Sequence, residues 1–335
     1  MSDTPELHTL SSPPNDGITS LTYLTPNLLA SSSWDGCVRV HDTQSLDPKT
    51  VSAAQVPILS LARSSAAGNA TSMDPIFMGC LDGSVRSFDV SSSQWNTLGS
   101  HGAGCQAVVN SATIDGYAVL SAGWDSMLKC WDPRMKSEAL SLKLPGKAFS
   151  MDAVGGTIVV ATSGRKLCIY DCRRMGDVSL VQERDSSLKY QIRTVRLFPD
   201  SSGMAVGSIE GRVAVEYADD AAAAALGRKK YAFKCHRVGE TIYPVNSIAF
   251  HPKYGTFATG GCDGSVVIWD GLNKKRISSL PKFPTSISAL AFNHDGSQMA
   301  IASSYTFEEG ERDHPRDEIF VRNILDSECR PKSKA

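Results

Sequence analysis

The stretch F-A-T-G-G-C-D-G-S-V-V-I-W-D, residues 257–270, carries the fold in miniature. A short apolar run gives way to small residues and the turn Asp263-Gly264, and Val266 to Trp269 then lead on to Asp270. Asp-Gly between two such runs marks a β-hairpin, because the turn needs positive φ at its centre.

The same sentence recurs along the chain. It reads L-L-A-S-S-S-W-D-G-C-V-R-V-H-D (28–42), F-M-G-C-L-D-G-S-V-R-S-F-D (77–89) and V-L-S-A-G-W-D-S-M-L-K-C-W-D (119–132). It continues as V-V-A-T-S-G-R-K-L-C-I-Y-D (159–171) and A-V-G-S-I-E-G-R-V-A-V-E-Y (205–217), and a last copy is split between M-A-I-A-S-S-Y (299–305) and E-I-F-V-R-N (318–323). The turn residues Asp35, Asp82, Asp125, Gly164, Glu210 and Asp263 step by 47, 43, 39, 46 and 53 residues. That spacing is close to the roughly 40–45 residues of a four-stranded propeller blade. Each copy is preceded by one more strand, such as V-N-S-I-A-F (245–250). The expectation is an all-β, seven-bladed β-propeller over residues 1–328, followed by a short basic tail at 329–335. A closed ring removes the edges that a lone blade would expose. The dipeptide endings W-D (131–132, 269–270), F-D (88–89) and Y-D (170–171) resemble the WD-repeat family over nearly the whole chain. The alanine run 221–225 is the chief break in the pattern and reads as a helical turn or a loop.

Composition narrows function by exclusion. Hydrophobic content of 41% and a formal net charge of -1 give no general attraction to nucleic acid or membrane, so charge matters only where it clusters. The nine cysteines are scattered through apolar runs, where a thiol acts as a small hydrophobe, and no second pair follows Cys168 and Cys172 at zinc spacing. No metal and no cofactor are expected. No stretch reaches the ~18 apolar residues of a membrane span, so a soluble protein of a reducing compartment is expected. The seven histidines form no nucleophile–base arrangement, and no phosphate loop or paired-carboxylate motif is present, so catalysis is not expected.

Blade topology gathers the unusual residues. In an up-and-down blade with strands a to d, the b–c turns and the d–a crossings share one face of the disc. Trp34 and Trp124 precede two such turns, where sibling copies have Leu81, Ile209 and Cys262. Arg212 follows the fifth turn, Arg193 enters the first strand of that blade, and Lys234, His236 and Arg237 close it. Tyr305 precedes the interrupted turn of the last copy. Like charges brought together repel unless an anion or a buried acid lies among them; Glu210 and Glu216 are candidates for the latter. Paired cations with aromatic anchors suit an acidic or phosphorylated peptide, whose phosphate offers about -1.5 to -2 charges and three acceptor oxygens.

The motifs S-S-L-K-Y-Q-I-R (186–193), S-I-E-G-R-V-A-V-E-Y (208–217), K-K-Y-A-F-K-C-H-R (229–237) and I-Y-P-V-N-S-I-A-F-H-P (242–252) resemble the Bub family of mitotic spindle-checkpoint WD-repeat proteins. The resemblance implies a monomeric, non-enzymatic adaptor at kinetochores, in the nucleus and also in the cytoplasm. It implies as partners the acidic GLEBS segments of checkpoint kinases and pseudokinases, and phosphorylated Met-Glu-Leu-Thr repeats of a kinetochore scaffold. By the same resemblance Arg212 and Lys234 take phosphate-contacting positions. Arg193, Trp34, Trp124 and Tyr305 take positions on the GLEBS face, Arg228 stands in for a lysine there, and His236 and Arg237 support the site. Two other readings remain open. One is the sister WD-repeat factor of messenger-RNA export, which reads a nucleoporin GLEBS motif and shares I-E-G-R-V-A and F-K-C-H-R. The other is a substrate receptor of a cullin ubiquitin ligase, suggested by W-D-P-R (131–134) and Y-D-C-R (170–173).

Overall fold

The computed structural model describes residues 5–64, 74–111, 118–135, 138–172 and 179–331. Seven four-stranded antiparallel sheets follow one another along the chain. Blade 1 is Ile18–Thr25, Leu28–Ser33, Cys37–Asp42 and Pro48–Ala53; blade 2 is Ile58–Arg63, Ile76–Cys80, Ser84–Asp89 and Gln94–Ser100. Blade 3 is Cys105–Ser111, Ala118–Gly123, Met127–Trp131 and Glu138–Lys143; blade 4 is Ala148–Val154, Thr157–Thr162, Lys166–Asp171 and Ser179–Asp185. Blade 5 is Ile192–Leu197, Gly203–Ser208, Arg212–Tyr217 and Tyr231–Lys234; blade 6 is Val245–Phe250, Phe257–Gly261, Val266–Asp270 and Lys275–Ser279. Blade 7 takes three strands from the end of the chain, Ile287–Phe292, Gln298–Ser303 and Glu318–Asn323. Its outer strand, Leu7–Thr9, comes from the beginning. The expected seven-bladed propeller is the observed fold.

Burial falls from the b strands outward. Ile76–Cys80, Gly203–Ser208 and Phe257–Gly261 are buried at every residue, whereas the outer strand Pro48–Ala53 alternates half-buried and exposed. Small residues in the b strands let the next blade approach. A Cβ on Gly79 would meet the Cys105 carbonyl oxygen at 2.5 Å, and one on Gly260 would meet Ile287 Cγ2 at 2.4 Å. Eight of the nine cysteines are buried and none is bridged, so they are core hydrophobes.

The blades are also joined by polar chains. In blade 6 the Trp269 indole N–H donates to Thr259 Oγ1 (2.9 Å), which faces His236 Nε2 (2.8 Å), while His236 Nδ1 faces Asp263 Oδ1 (2.8 Å). Blade 3 repeats this with Trp131, Ser121, His101 and Asp125. Each chain ties the aromatic that ends strand c to the aspartate of the b–c turn, and its histidine comes from the d–a crossing of the preceding blade.

Two features go beyond the repeat. Asp220–Ala225 is a short helix whose N-cap Asp219 accepts from the Ala221 and Ala222 amides, so the alanine run is helical. Asp326–Cys329 forms a helical turn with Cys329, the first residue of the expected tail, fully buried; residues 332–335 lie outside the described residues. No helix is long and apolar enough to cross a membrane among the described residues.

Candidate peptide-binding face

The a–b ladder of every blade carries a register shift at the same place. The shifts fall between Ile18 and Ser20, Ile58 and Ser60, Cys105 and Ala107, Ala148 and Ser150, Ile192 and Thr194, Val245 and Ser247, and Ile287 and Ala289. A bulge leaves one residue out of the ladder and re-aims its side chain. The seven bulged residues are Thr19, Leu59, Gln106, Phe149, Arg193, Asn246 and Ser288, and all seven line one depression of about 1000 Å³ at the mouth of the central channel. Arg193 is the one ionisable member of that ring. It is exposed and makes no ion pair with any described residue.

Trp34, Trp124 and Tyr305 line the same mouth, as the sequence led us to expect of the b–c face. Asp35 fixes the turn that presents Trp34. Burial works to raise the Asp35 pKa, but hydrogen bonds from Arg39, Ser33 and the Asn15 and Cys37 amides outweigh it and hold the carboxyl at about 2. The Trp34 ring remains 42% exposed, which is unusual for an indole without a partner. Trp124 is half-buried: a Cβ on Gly104 would meet its ring at 2.7 Å, so it leans on that glycine. Tyr305 is a different case. It is 8% exposed, its hydroxyl donates to the Gly310 carbonyl (2.8 Å) and accepts from the Glu309 amide (3.0 Å), and its ring packs on His314. Tyr305 therefore anchors the charged insertion 306–317 more than it offers a free anchor to a ligand.

Arg212 and Lys234 are direct register partners in blade 5, so their side chains stand on one side of the sheet at its rim. Arg212 Nε lies 3.5 Å from Glu210 Oε2, and Lys234 is exposed without an ion pair among the described residues. Glu210 is thus the local acid that the sequence raised as a candidate. Glu216 is not: it is buried and engaged by Arg184 Nη2 at 3.3 Å and by the Ser186 and Ser187 hydroxyls.

Three expected site residues are engaged within the protein. His236 is not a surface cation, because its side chain is fully buried in the blade 6 chain with Thr259 and Asp263. Arg237 folds back to donate to the Glu210 carbonyl (2.8 Å), bracing the b–c turn. Arg228 lies on the opposite face, where it donates to Ser202 Oγ (3.3 Å) and faces Asp200 at 3.8 Å, both in the a–b turn. It does not reach the mouth. Of the ligase-type tetrapeptides, Arg134 folds onto Asp132 (2.7 Å), and Arg173 lies outside the described residues.

The structure also adds residues that the sequence reading passed over. Gln106, Phe149, Lys147 and Phe307 line the mouth. Phe307 is 65% exposed with φ of 59°, a region costly for a bulky side chain and found where surroundings impose it. Beside Arg212, Tyr190, Ile209, Val238 and Ile242 are exposed apolar residues. Val238 and Ile242 belong to a small hairpin, Arg237–Val238 with Thr241–Ile242, inside what looked like a plain crossing. The bulge position was legible in principle as the second residue of each a strand. The apolar cluster was not, because it draws on three separate segments.

Fold and face together define a WD-repeat propeller whose mouth is lined by aromatic side chains and by charges of both signs, Lys147 and Arg193 with Asp16 and Asp317. The WD domain, G-beta repeat family matches residues 5–42 and 227–270. The chain is 44% identical to mitotic checkpoint protein bub3 of Dictyostelium discoideum over 331 residues, 96% of each chain. It is 44% identical to mitotic checkpoint protein BUB3.1 of Arabidopsis thaliana, covering 97% of this chain and 95% of that one. The poly(A)+ RNA export protein of Schizosaccharomyces pombe is more distant, at 31% identity over 96% of this chain and 92% of that one. The chain belongs to the Bub3 family of mitotic checkpoint WD-repeat proteins.

Proposed function

We propose that this propeller is a non-enzymatic mitotic checkpoint adaptor that works at kinetochores by holding two peptides on one face. An acidic GLEBS-type segment of a checkpoint kinase or pseudokinase crosses the mouth, its glutamates on Arg193 and its apolar side chains against Trp34 and Trp124. A phosphorylated Met-Glu-Leu-Thr repeat of a kinetochore scaffold docks at the blade 5 rim. There its phosphate takes hydrogen bonds from Arg212 and Lys234, and its apolar residues lie near Tyr190, Ile209, Val238 and Ile242.

The observation that carries this reading is Arg193, exposed and without an ion pair among the described residues, in a ring of seven bulged residues otherwise uncharged. An exposed guanidinium in that setting is available to a carboxylate of a ligand. The rim supports the second peptide because Arg212 and Lys234 are adjacent across the ladder. The export-factor reading is less favoured, since the checkpoint relatives are 42–44% identical and the export relative 31%.

Calorimetry with the two peptides tests the proposal. Arg193→Glu should abolish binding of the acidic segment and leave the phosphopeptide bound. Arg212→Ala with Lys234→Ala should do the reverse, weakening the phosphopeptide by on the order of a hundredfold or more, since each bond to a charged group contributes roughly 1.5–3 kcal/mol. Equal affinity of either variant for both peptides would overturn the assignment of the two sites.

A further inference from the structure

The face opposite the mouth carries a second concentration of charge that the proposed function does not use. On it, the loop after strand c of blade 5 and the corresponding loop of blade 6 are joined. The Tyr231 hydroxyl donates to the Gly271 carbonyl (2.6 Å), and Lys274 Nζ sits 4.7 Å from the Tyr231 ring centroid. This joint brings Lys229 to one rim with Lys274, Lys275 and Arg276, all exposed. None of the four makes an ion pair with a described residue.

Several nearby acids hold partners of their own. Asp219 caps the short helix, Asp220 holds Lys230 at 3.1 Å, and Asp200 holds Ser202 and Arg228. Asp270 accepts from the Leu272 and Asn273 amides and from the Asn273 side chain. Four cations without an ion pair among the described residues thus share this rim, on a chain whose formal net charge is -1. An anionic partner would relieve the repulsion among them.

The same rim exposes two large apolar side chains, Leu226 at 69% and Leu272 at 55%. That combination selects the class of partner. Single-stranded nucleic acid binds by stacking bases on aromatic faces, and the aromatic here, Tyr231, is half-buried and covered by Lys274. Exposed leucines beside cations match a peptide with apolar side chains among its carboxylates.

We propose that the lower rim of blades 5 and 6 is a second docking surface, for an acidic peptide segment that carries leucine-sized side chains. It lies across the disc from the mouth, so both faces can be occupied at once. The propeller would then join three segments rather than two.

The test uses a fluorescent 16-residue probe of alternating glutamate and aspartate with two leucines, followed by anisotropy at low and moderate salt with the mouth saturated by an unlabelled GLEBS-type peptide. Binding should weaken with salt, as rim charges are screened. Lys274→Glu with Lys275→Glu and Arg276→Glu should weaken the probe by roughly tenfold or more, and Leu226→Ser with Leu272→Ser by several-fold. Both variants should keep the melting temperature and the affinity of the mouth for a GLEBS-type peptide. A probe that does not bind, or binds the charge-reversed variant unchanged, overturns the proposal. So does tighter binding of a 20-base-pair DNA duplex that the same charge reversal abolishes, which would make the rim a nucleic-acid surface.

Discussion

Trp34 and Trp124 hold the same place in blades 1 and 3, and each backbone amide donates to a glycine carbonyl at 2.9 Å, Gly17 and Gly104 respectively. Their rings differ in burial, and the difference sets what each substitution does. Trp34 stands 42% exposed at the mouth, so Trp34→Ala should weaken an acidic peptide by about 2 kcal/mol, roughly thirtyfold, with little change in melting temperature. Trp124→Ala should weaken the peptide and also lower stability, because the ring covers Gly104. Calorimetry paired with thermal melts separates the two, and identical stability losses for both would mean that Trp34 also packs as structure. At this scale the sequence placed Trp34, Trp124 and Arg193 on one face, where the structure has them, and it misjudged Arg228 and His236 for one reason. Arg228 and His236 looked like free cations because their partners, Asp200 and Asp263, lie 28 and 27 residues away in sequence.

At the scale of elements, the crossing from blade 5 to blade 6 is the instructive one. His236 leaves the outer strand of one blade and is buried in the polar chain of the next, with φ of 46°. His236→Ala removes two hydrogen bonds and leaves the buried Asp263 carboxylate short of a partner. It should cost about 2–4 kcal/mol and lower the melting temperature by roughly 5–10 °C. The folded fraction should still bind the phosphopeptide. Selective loss of that affinity at unchanged stability would return His236 to the binding site. The Asp-Gly hairpins were legible because a tight turn is decided by adjacent residues, whereas the bulge ring depends on how strand a pairs with strand b.

On the scale of the whole molecule, the ring closes where the first strand of the chain completes the last blade. Leu7–Thr9 pair with Glu318–Asn323, and buried Leu10 donates its amide to the Ile319 carbonyl at 2.9 Å. Deleting residues 1–10 should lower the melting temperature by roughly 5 °C or more and increase light scattering on heating, because the last strand becomes an open edge. An unchanged melt would show that the seventh blade holds with three strands. Acid stability has a whole-molecule origin too. Burial pushes the pKa of His41, His101 and His251 below the ordinary 6.5. Each is therefore protonated in the unfolded chain at a pH where the folded form keeps it neutral. The unfolded chain binds more protons, so stability is present above the ordinary histidine value and falls as pH drops through it. The denaturation midpoint should be lower at pH 5.5 than at pH 7.5; the opposite slope would contradict neutral burial of these rings.

The sequence by itself determined the propeller, the number of blades and the face that carries the aromatic and cationic residues. Turn chemistry and strand alternation are local, and their repetition reports topology without coordinates. Tertiary structure alone decided which cations are free. A charge such as Arg193 or Lys234 and one such as His236 or Arg228 look alike in a string of residues. What distinguishes them is whether a carboxylate or hydroxyl from a distant segment has folded onto them. Only the closed ring brings those segments together.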